Sequence, residues 1–382
     1  MDKNSVGIVI PQNYTFGETA DDALSLDCGQ SLGPVNICYE TYGELNSDAS
    51  NAILITHALS GNAHVAGYNS EDEDKPGWWD EMVGPGKHID TNKYFVVGTN
   101  TIGGCSGSTG PRCINPKTGK RYNMDFPVIT IADMVRAQYR LMQHLKITSW
   151  LSIVGGSMGG MQAFEWAILY PEAVKSVCAI ASTSRISPQG IAFNWVGREA
   201  IMSDPKWING EYDEDIPEVG LSTARMLAHI TYLSEESMDD KFGRELQETG
   251  HYSFDFKGDF AVESYLRYQG NRFVGRFDAN SYLYITRAID YFDVSEKAEG
   301  NLSKALENVT MPFMMVSFTS DWLFPPSQSQ DVVKAMLQNG TNITYCNIES
   351  SYGHDAFLLE VETLGDLLEN FIKNAYIEVR NG

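Results

Sequence analysis

The sequence predicts an α/β fold with a mostly parallel central sheet and a helical lid inserted between two strands. Short apolar runs alternate with amphipathic helical stretches in residues 37–183 and again from residue 313 onwards. Between residues 184 and 300 the strand-like runs stop, and helical stretches separated by acidic, glycine- and proline-containing turns replace them. Alternating strands and helices form βαβ units, whose parallel strands are buried on both faces.

Each predicted strand is a short apolar run. The runs are residues 52–56, 94–99, 151–154, 174–181, 313–319 and 343–348. A typical intervening helix begins at Thr130, where Asp133 three residues later completes a capping pattern. The apolar residues of this helix recur at helical spacing and lie near one face: Ile131, Met134, Val135, Met142 and Leu145.

The predicted division of the chain assigns residues 1–183 and 301–382 to the core and residues 184–300 to the lid. A helical insertion between sheet strands usually covers the carboxyl edge of the sheet, where open α/β folds bind ligands. We therefore expect the functional site at that edge, beneath the lid.

Composition excludes several classes of partner. The net charge is −22, and such a surface would repel nucleic acid and anionic membranes. No apolar run approaches the roughly 18 residues of a membrane helix, and the N-terminal residues do not resemble a secretion signal, so we expect a cytosolic protein. The six cysteines contain no C-x-x-C pair, so the sequence predicts neither a metal site nor a disulfide framework.

The strongest local signal is a G-x-S-x-G motif at residues 155–159, centred on Ser157. It lies between the strand at 151–154 and a helical stretch at 161–169, which is the context of a nucleophile elbow. Small residues are needed there, because a sharp strand-to-helix turn leaves no room for side chains beside a serine in strained dihedrals. The motif therefore predicts that Ser157 is a nucleophile.

A neutral serine needs a base, and the base needs an orienting carboxylate. In α/β hydrolases these residues follow in the order Ser, Asp, His at the ends of later strands. Asp321 follows the strand at 313–319, and His354 lies in the turn after the next strand. Asp355 is an alternative acid, but a carboxylate directly beside its histidine in sequence rarely reaches the ring well. The other histidines have weaker claims to be the base: His57 and His64 follow an early strand, His144 lies on a helix, and His88, His229 and His251 precede or interrupt the lid.

An acyl transfer also needs N–H donors for the developing oxyanion. The backbone N–H of Met158 follows the nucleophile, and Leu59 offers the second donor from the loop after the strand at 52–56. The glycine-rich segment at 103–111 lacks a Gly-Lys-Ser/Thr sequence and leads into no clear helix. We therefore interpret that segment as a structural loop bordering the cleft, rather than as a phosphate loop.

Taken together, these residues and further blocks resemble the homoserine O-acetyltransferase family. The blocks span nearly the whole chain, and a generic α/β hydrolase would share only the elbow and the late Asp and His. They are HALSG (57–61), HVAG (64–67), PGWWD (76–80), GPGK (84–87), GGCSGSTGP (103–111), DMVRAQ (133–138), GGSMGGMQ (155–162), ARM (224–226), HITY (229–232), YQG (268–270), FDANSY (277–282) and GHD (353–355).

The resemblance implies transfer of an acetyl group from acetyl-CoA to the hydroxyl of L-homoserine, on the route to methionine. Acetyl-CoA would be a co-substrate, and no cofactor would be permanently bound. Ser157 would be the acylated nucleophile, with His354 as general base and Asp321 as its orienting partner. Members of the family are typically homodimers joined through their lid helices.

The resemblance also implies three ligands for the acceptor. Arg225 matches the ligand of the substrate carboxylate, Asp355 the ligand of the amino group, and Tyr232 a lid hydroxyl at the active-site tunnel. A zwitterionic amino acid needs one fixed cation and one fixed anion, which Arg225 and Asp355 would provide.

Other interpretations remain open within and beyond this family. Close relatives use succinyl-CoA or accept L-serine. A succinyl carboxylate would need a positive partner near residues 61–63, and no Lys or Arg stands there in the sequence, so we predict acetyl. An esterase or a non-catalytic binding protein on the same fold is a less favoured reading.

Overall fold

The computed structural model describes residues 4–247 and 250–381, and twelve strands occur within them. The strands are β1 (Gln12–Phe16), β2 (Leu24–Ser25), β3 (Ser31–Leu32), β4 (Val35–Tyr42), β5 (Ala52–Thr56), β6 (Val83–Gly84), β7 (Ile89–Asp90), β8 (Phe95–Thr99), β9 (Ser152–Gly156), β10 (Val177–Ile180), β11 (Phe313–Phe318) and β12 (Ile343–Ile348).

Eleven α-helices lie in the same described ranges. They are α1 (Ile131–His144), α2 (Met158–Leu169), α3 (Pro188–Met202), α4 (Glu218–Tyr232), α5 (Glu235–Phe242), α6 (Ala261–Val274), α7 (Ala279–Asp290), α8 (Leu302–Ala305), α9 (Pro326–Gln338), α10 (Ala356–Leu359) and α11 (Val361–Asn381).

Within the described ranges, eight of the strands form one sheet in the order β1-β4-β8-β5-β9-β10-β11-β12. Six neighbouring strands run parallel to one another: β8, β5, β9, β10, β11 and β12. Beyond β8, strand β4 pairs antiparallel with β8, and the edge strand β1 pairs antiparallel with β4. The predicted fold class is confirmed. Strands β1 and β4 were not predicted from the sequence. Most of β1 is exposed at the edge of the sheet, and in β4, which is largely buried between β1 and β8, the polar residues Asn36, Glu40 and Thr41 interrupt the apolar run.

Helices cover both faces of the sheet and bury its apolar residues. One core cluster joins the sheet to α1 and α2, and includes Trp150 and Trp166. A second cluster, on the opposite face, joins it to α11. The predicted capping of α1 is present, since Asp133 N donates to Thr130 Oγ1 over 3.2 Å and Thr130 N donates to Asp133 Oδ2 over 3.0 Å.

Helices α3 to α7 follow β10 and precede β11 in the chain. None of the described residues in 184–300 adds a strand to the central sheet. Helix α4 packs against α3, against α6 and against the turn at Gly353–Asp355. This helical segment therefore lies directly beside the turn that carries His354. The domain boundaries at 183 and 301 stay a prediction.

The glycine-rich loop at 103–111 is bound to β4 and to its own ends by hydrogen bonds. Asn36 N donates to Thr109 Oγ1 over 2.8 Å, and Cys38 N donates to Ser108 Oγ over 2.9 Å. A Cβ on Gly110 would lie 2.1 Å from the carbonyl oxygen of Gly104, so the loop folds closely on itself. These contacts are those of a structural loop. Among the described helices, none is long and apolar enough to span a membrane.

Candidate active site

Ser157 lies in the sharp turn between β9 and α2. Its backbone has φ 57° and ψ −121°, a left-handed conformation that is strained for a side chain with a Cβ. Ser157 N donates to the carbonyl oxygen of Ile180 over 2.9 Å, and Ser182 Oγ donates to the Ser157 carbonyl oxygen over 2.9 Å. These bonds to the β10 side of the sheet hold the strained residue in place.

Glycines at the elbow allow the strand and the helix to approach at backbone distance. A Cβ on Gly155 would lie 2.3 Å from the Gly159 carbonyl group and from Thr56 Oγ1. A Cβ on Gly159 would lie 2.0 Å from the Thr56 carbonyl oxygen. Any larger residue at either position would push α2 away from β5 and would shift Ser157 with it.

The structure brings Ser157, His354 and Asp321 into one chain of hydrogen bonds. His354 Nε2 is 2.8 Å from Ser157 Oγ, and His354 Nδ1 is 2.8 Å from Asp321 Oδ2. The other carboxylate oxygen, Oδ1 of Asp321, accepts from the N–H groups of Leu323 and Phe324 over 3.0 and 2.9 Å. The carboxylate is therefore oriented before any substrate arrives.

The environment of His354 raises its affinity for a proton. The ring is 2% exposed and contacts Phe324 and Phe357 edge-on. This burial by itself would lower the pKa of His354, but the charge and hydrogen bond of Asp321 outweigh it, and the pKa is raised above the usual value. The imidazolium that forms when His354 takes a proton is thus stabilised where it is needed.

Asp355 does not compete for the ring of His354. The described residues contain no hydrogen bond between the two side chains, whereas Asp321 is in direct contact with Nδ1. Asp355 is largely buried, and burial raises the pKa of its carboxyl, although the charges of His354 and Arg225 oppose that rise. Asp321 and Asp355 therefore occupy different environments.

Arg225 and Tyr232 share one face of α4, seven residues apart, and both lie near the histidine turn. Arg225 is 8% exposed, and its guanidinium lies over the rings of Phe273 and Tyr232, 4.6 and 5.5 Å from their centroids. The ring centroid of Tyr232 is 6.0 Å from that of His354. Burial raises the pKa of the Tyr232 hydroxyl.

Arg225 and Asp355 are close enough to shift proton affinity but do not form an ion pair. The charge of Arg225 lowers the pKa of Asp355, yet no N···O distance within 4.0 Å joins them, and neither has another such partner among the described residues. A buried guanidinium without an anion is costly, and so is a buried carboxylate without a cation. Neither charge is therefore neutralised by an ion pair within the described part of the chain, and the roles of both residues as ligands stay a prediction.

The predicted oxyanion donors lie beside the elbow. Met158 is the first residue of α2, so its N–H has no acceptor within the helix. The loop after β5 turns at Ala58, whose carbonyl oxygen accepts from Gly61 N over 2.9 Å. Within the described part of the chain, no hydrogen bond uses the N–H of Leu59. The role of both donors stays a prediction.

Arg276 is a neighbour of the site that the sequence analysis missed. It follows α6, and its Nη1 donates to the carbonyl oxygen of Ser60 over 3.3 Å. Arg225 donates to the hydroxyl of the same Ser60 over 3.3 Å, and both guanidiniums lie over the ring of Phe273. The only sequence signal was the position of Arg276, directly before the block at 277–282.

A possible group of metal ligands exists away from these residues. In the part of the chain that the structure describes, ligand atoms of His88, Asp366 and Glu369 lie within 4.8 Å of one another. Both carboxylates are exposed, and none of the three residues belongs to the site around Ser157. Exposed acidic residues commonly gather without a metal ion, so the sequence prediction of no metal stays a prediction.

Comparisons with known proteins give a consistent result. A family model described as alpha/beta hydrolase fold matches residues 51–361. The homoserine O-acetyltransferase of Methanohalobium evestigatum is 52% identical over 378 residues, which cover 99% of this chain and 76% of that protein. The homoserine O-succinyltransferase of Hahella chejuensis is 52% identical over 379 residues, which cover 98% of this chain and 97% of that protein.

A solved structure agrees with the fold and the length of the chain. The crystal structure of homoserine O-acetyltransferase from Bacillus anthracis superimposes with a TM-score of 0.89 at 31% sequence identity. The match covers 96% of this chain and 98% of that one. The similarity therefore extends over helices α3 to α7 as well as over the central sheet.

Proposed function

The chain belongs to the homoserine O-acyltransferase family, built on the alpha/beta hydrolase fold, and we propose that it moves the acetyl group of acetyl-CoA to the hydroxyl of L-homoserine. The observation that carries the proposal is the hydrogen-bonded chain of Ser157, His354 and Asp321. Near it lie Arg225 and Asp355, which have no ion-pair partner among the described residues, and an amino acid would offer an opposite charge to each.

In the first half-reaction, His354 Nε2 takes the proton of Ser157 Oγ as the oxygen attacks the thioester carbonyl carbon. The negative oxygen that forms accepts hydrogen bonds from the N–H groups of Leu59 and Met158. The carbon–sulfur bond then breaks, and the thiolate of CoA receives the proton from His354. Acetyl-Ser157 and free CoA are the products.

In the second half-reaction, the hydroxyl of homoserine attacks the acetyl ester and gives its proton to His354. The same two N–H groups stabilise the oxyanion, and the ester bond to Ser157 breaks as its oxygen regains the proton. Both half-reactions use one base and one oxyanion site, so the enzyme alternates between a free and an acetylated form.

The acceptor is held by its two charged groups. Arg225 binds the carboxylate and Asp355 binds the ammonium group, while the ring of Tyr232 lies beside both Arg225 and His354. Two fixed charges of opposite sign select a zwitterion over an uncharged alcohol, because only the zwitterion offers a charged partner to each group. The expected product is therefore an acylated amino acid.

Replacing Asp355 with asparagine should separate acceptor binding from acylation. We expect acetyl-Ser157 to form at a near-normal rate, because Asp355 touches neither His354 Nδ1 nor Ser157. The apparent affinity for homoserine should weaken by about 30-fold to several thousand-fold, the effect of removing one partner of a buried charge pair. Rapid-quench measurement of the acetyl-enzyme and steady-state KM for homoserine test both expectations.

Asp240→Asn is the matched control, since Asp240 is an exposed lid carboxylate. It should leave both quantities unchanged. A burst of thiol release that disappears in Asp355→Asn would contradict the assignment and would place Asp355 in the acylation step.

A second candidate function is transfer of a succinyl group, and Arg276 favours it. The sequence offers no cation at residues 61–63, but the guanidinium of Arg276 reaches the adjacent Ser60 from the lid segment. A positive group at this loop is what the carboxylate of a succinyl chain would need. Among the relatives, both acyl groups appear in the names.

A thiol-release assay that crosses acetyl-CoA and succinyl-CoA with homoserine and serine tests the proposed function. We expect acetyl-CoA with homoserine to give the highest kcat/KM. The assay is repeated with Arg276→Gln, and with Arg272→Gln as the control, since Arg272 is an exposed arginine one turn earlier. Higher turnover of succinyl-CoA, lost in Arg276→Gln alone, would establish the second candidate. Thiol release that needs no acceptor would instead indicate an esterase.

We further propose that two copies associate through the lid helices. Large apolar side chains are exposed on three of these helices: Trp195 on α3, Val219 on α4 and Tyr268 on α6. Exposed apolar groups gathered on neighbouring helices are typical of a surface that is covered in an oligomer. The cytosolic location stays a prediction.

A further inference from the structure

His57 is a buried histidine beside the site, and the reaction scheme leaves it without a role. It follows β5 directly, is 2% exposed, and lies one residue before the loop that carries Leu59. Its Nδ1 is 2.7 Å from the carbonyl oxygen of Ala58, and its Nε2 accepts from Thr101 N over 3.2 Å. Both ring nitrogens are therefore engaged with the backbone.

These partners define the protonation of the ring. A carbonyl oxygen can only accept, so Nδ1 carries a proton, and a backbone N–H can only donate, so Nε2 carries none. Burial lowers the pKa of His57 to about 4, although its hydrogen bond to Ala58 opposes that effect. The ring is therefore a neutral donor to Ala58 throughout the neutral pH range.

The hydrogen bond to Ala58 determines the direction of the Leu59 N–H. The carbonyl of Ala58 and the N–H of Leu59 belong to one planar peptide unit, and in a trans peptide they point in opposite directions. The carbonyl oxygen accepts from His57 Nδ1 and from Gly61 N, so it is held toward the interior of the loop. The N–H is thereby held on the opposite side, where no described group accepts from it.

The ring has little freedom to turn away from this position. Gln162 Nε2 donates to the carbonyl oxygen of His57 over 3.3 Å. A Cβ on Gly61 would lie 2.8 Å from the Cβ of His57, so the loop closes against the histidine with no spare room. Thr101 holds the far side of the ring.

We propose that His57 is a positioning residue for the reaction: by binding the carbonyl of Ala58 it aims the N–H of Leu59 at the developing oxyanion. It touches no reacting atom and exchanges no proton during turnover. The inference rests on the proposed function, because it needs Ser157 to be acylated and Leu59 to be an oxyanion donor.

Two amide variants separate the two hydrogen bonds of the ring. In His57→Asn the amide nitrogen occupies the place of Nδ1 and can still donate to Ala58, while the bond to Thr101 is lost. In His57→Gln the amide lies near the place of Nε2 and can accept from Thr101, while the donor to Ala58 is lost. The informative quantity is the single-turnover rate at which acetyl-CoA acylates Ser157, followed by mass spectrometry.

We expect His57→Gln to acylate about 100- to 1000-fold more slowly than the wild type, the effect of losing one oxyanion donor. Its KM for acetyl-CoA should change little, because the oxyanion exists only in the transition state. His57→Asn should stay within about tenfold of the wild type. The pH profile of acylation should keep its shape in both variants, since the ring does not titrate near neutral pH.

Several results would overturn the inference. The first is acylation by His57→Gln at the wild-type rate. The second is an acylation rate at least 100-fold below wild type in a His57→Asn protein that unfolds at the wild-type urea concentration. The third is a shifted pH profile of acylation in either variant. If His57→Gln does not fold, His57→Asn alone decides between these outcomes. A wild-type protein that forms no acyl-Ser157 would instead refute the proposed function, which keeps the two failures distinct.

Discussion

Ser157→Ala is expected to lower kcat by roughly 10⁴- to 10⁶-fold, because no other group can carry the acetyl between the two substrates. His354 Nε2 lies 2.8 Å from Ser157 Oγ and would have no hydroxyl to deprotonate in the variant. Intact-protein mass spectrometry after mixing with acetyl-CoA alone should show one acetyl group on the wild type and none on the variant.

Ser152→Ala is the matched control for this experiment. Ser152 is buried in β9, five residues before the nucleophile, and its hydroxyl lies 4.0 Å from the sulfur of Cys178. This control should acquire the acetyl group as the wild type does. An acetylated Ser157→Ala protein would show that another residue is the nucleophile and would remove the basis of the two-step scheme.

Asp321→Asn should lower the acylation rate by about 10⁴-fold, the loss expected when the acid of a Ser-His-Asp arrangement becomes an amide. Asp321 Oδ2 accepts the Nδ1 proton of His354, so that Nε2 is free to take the proton of Ser157. An amide N–H in that place would donate to Nδ1, and the ring proton would move to Nε2. The ring would then be unable to act as the base.

The same variant should shift the pH dependence of acylation. In the wild type, Asp321 raises the pKa of His354, and the base is active only when neutral, so the rate should rise with pH through a midpoint above 6.5. In Asp321→Asn the burial of His354 is opposed only by the smaller effect of the Asp355 charge, so the midpoint of the residual rate should fall below that of the wild type. A residual rate with the wild-type midpoint would contradict the assignment of Asp321.

The sequence by itself predicted the parts of the protein that depend on short-range pattern. The buried parallel strands appear as apolar runs, and the elbow appears as small residues around Ser157, because a tight turn restricts residue size locally. Asp321 and His354 could be named because each follows a strand, and parallel strands bring their carboxyl ends to one edge. Such prediction succeeds where a local pattern, or the regular geometry of a parallel sheet, determines the position of a residue.

Tertiary structure alone decided the contacts between distant segments. Arg276 and Ser60 are 216 residues apart, and nothing in the local periodicity of either segment signals that the guanidinium reaches the loop. The same holds for His57, whose ring nitrogens bind one adjacent carbonyl and one amide 44 residues away. Which side of a loop a peptide group faces depends on these long-range partners, and a linear pattern of apolar and polar residues does not record them.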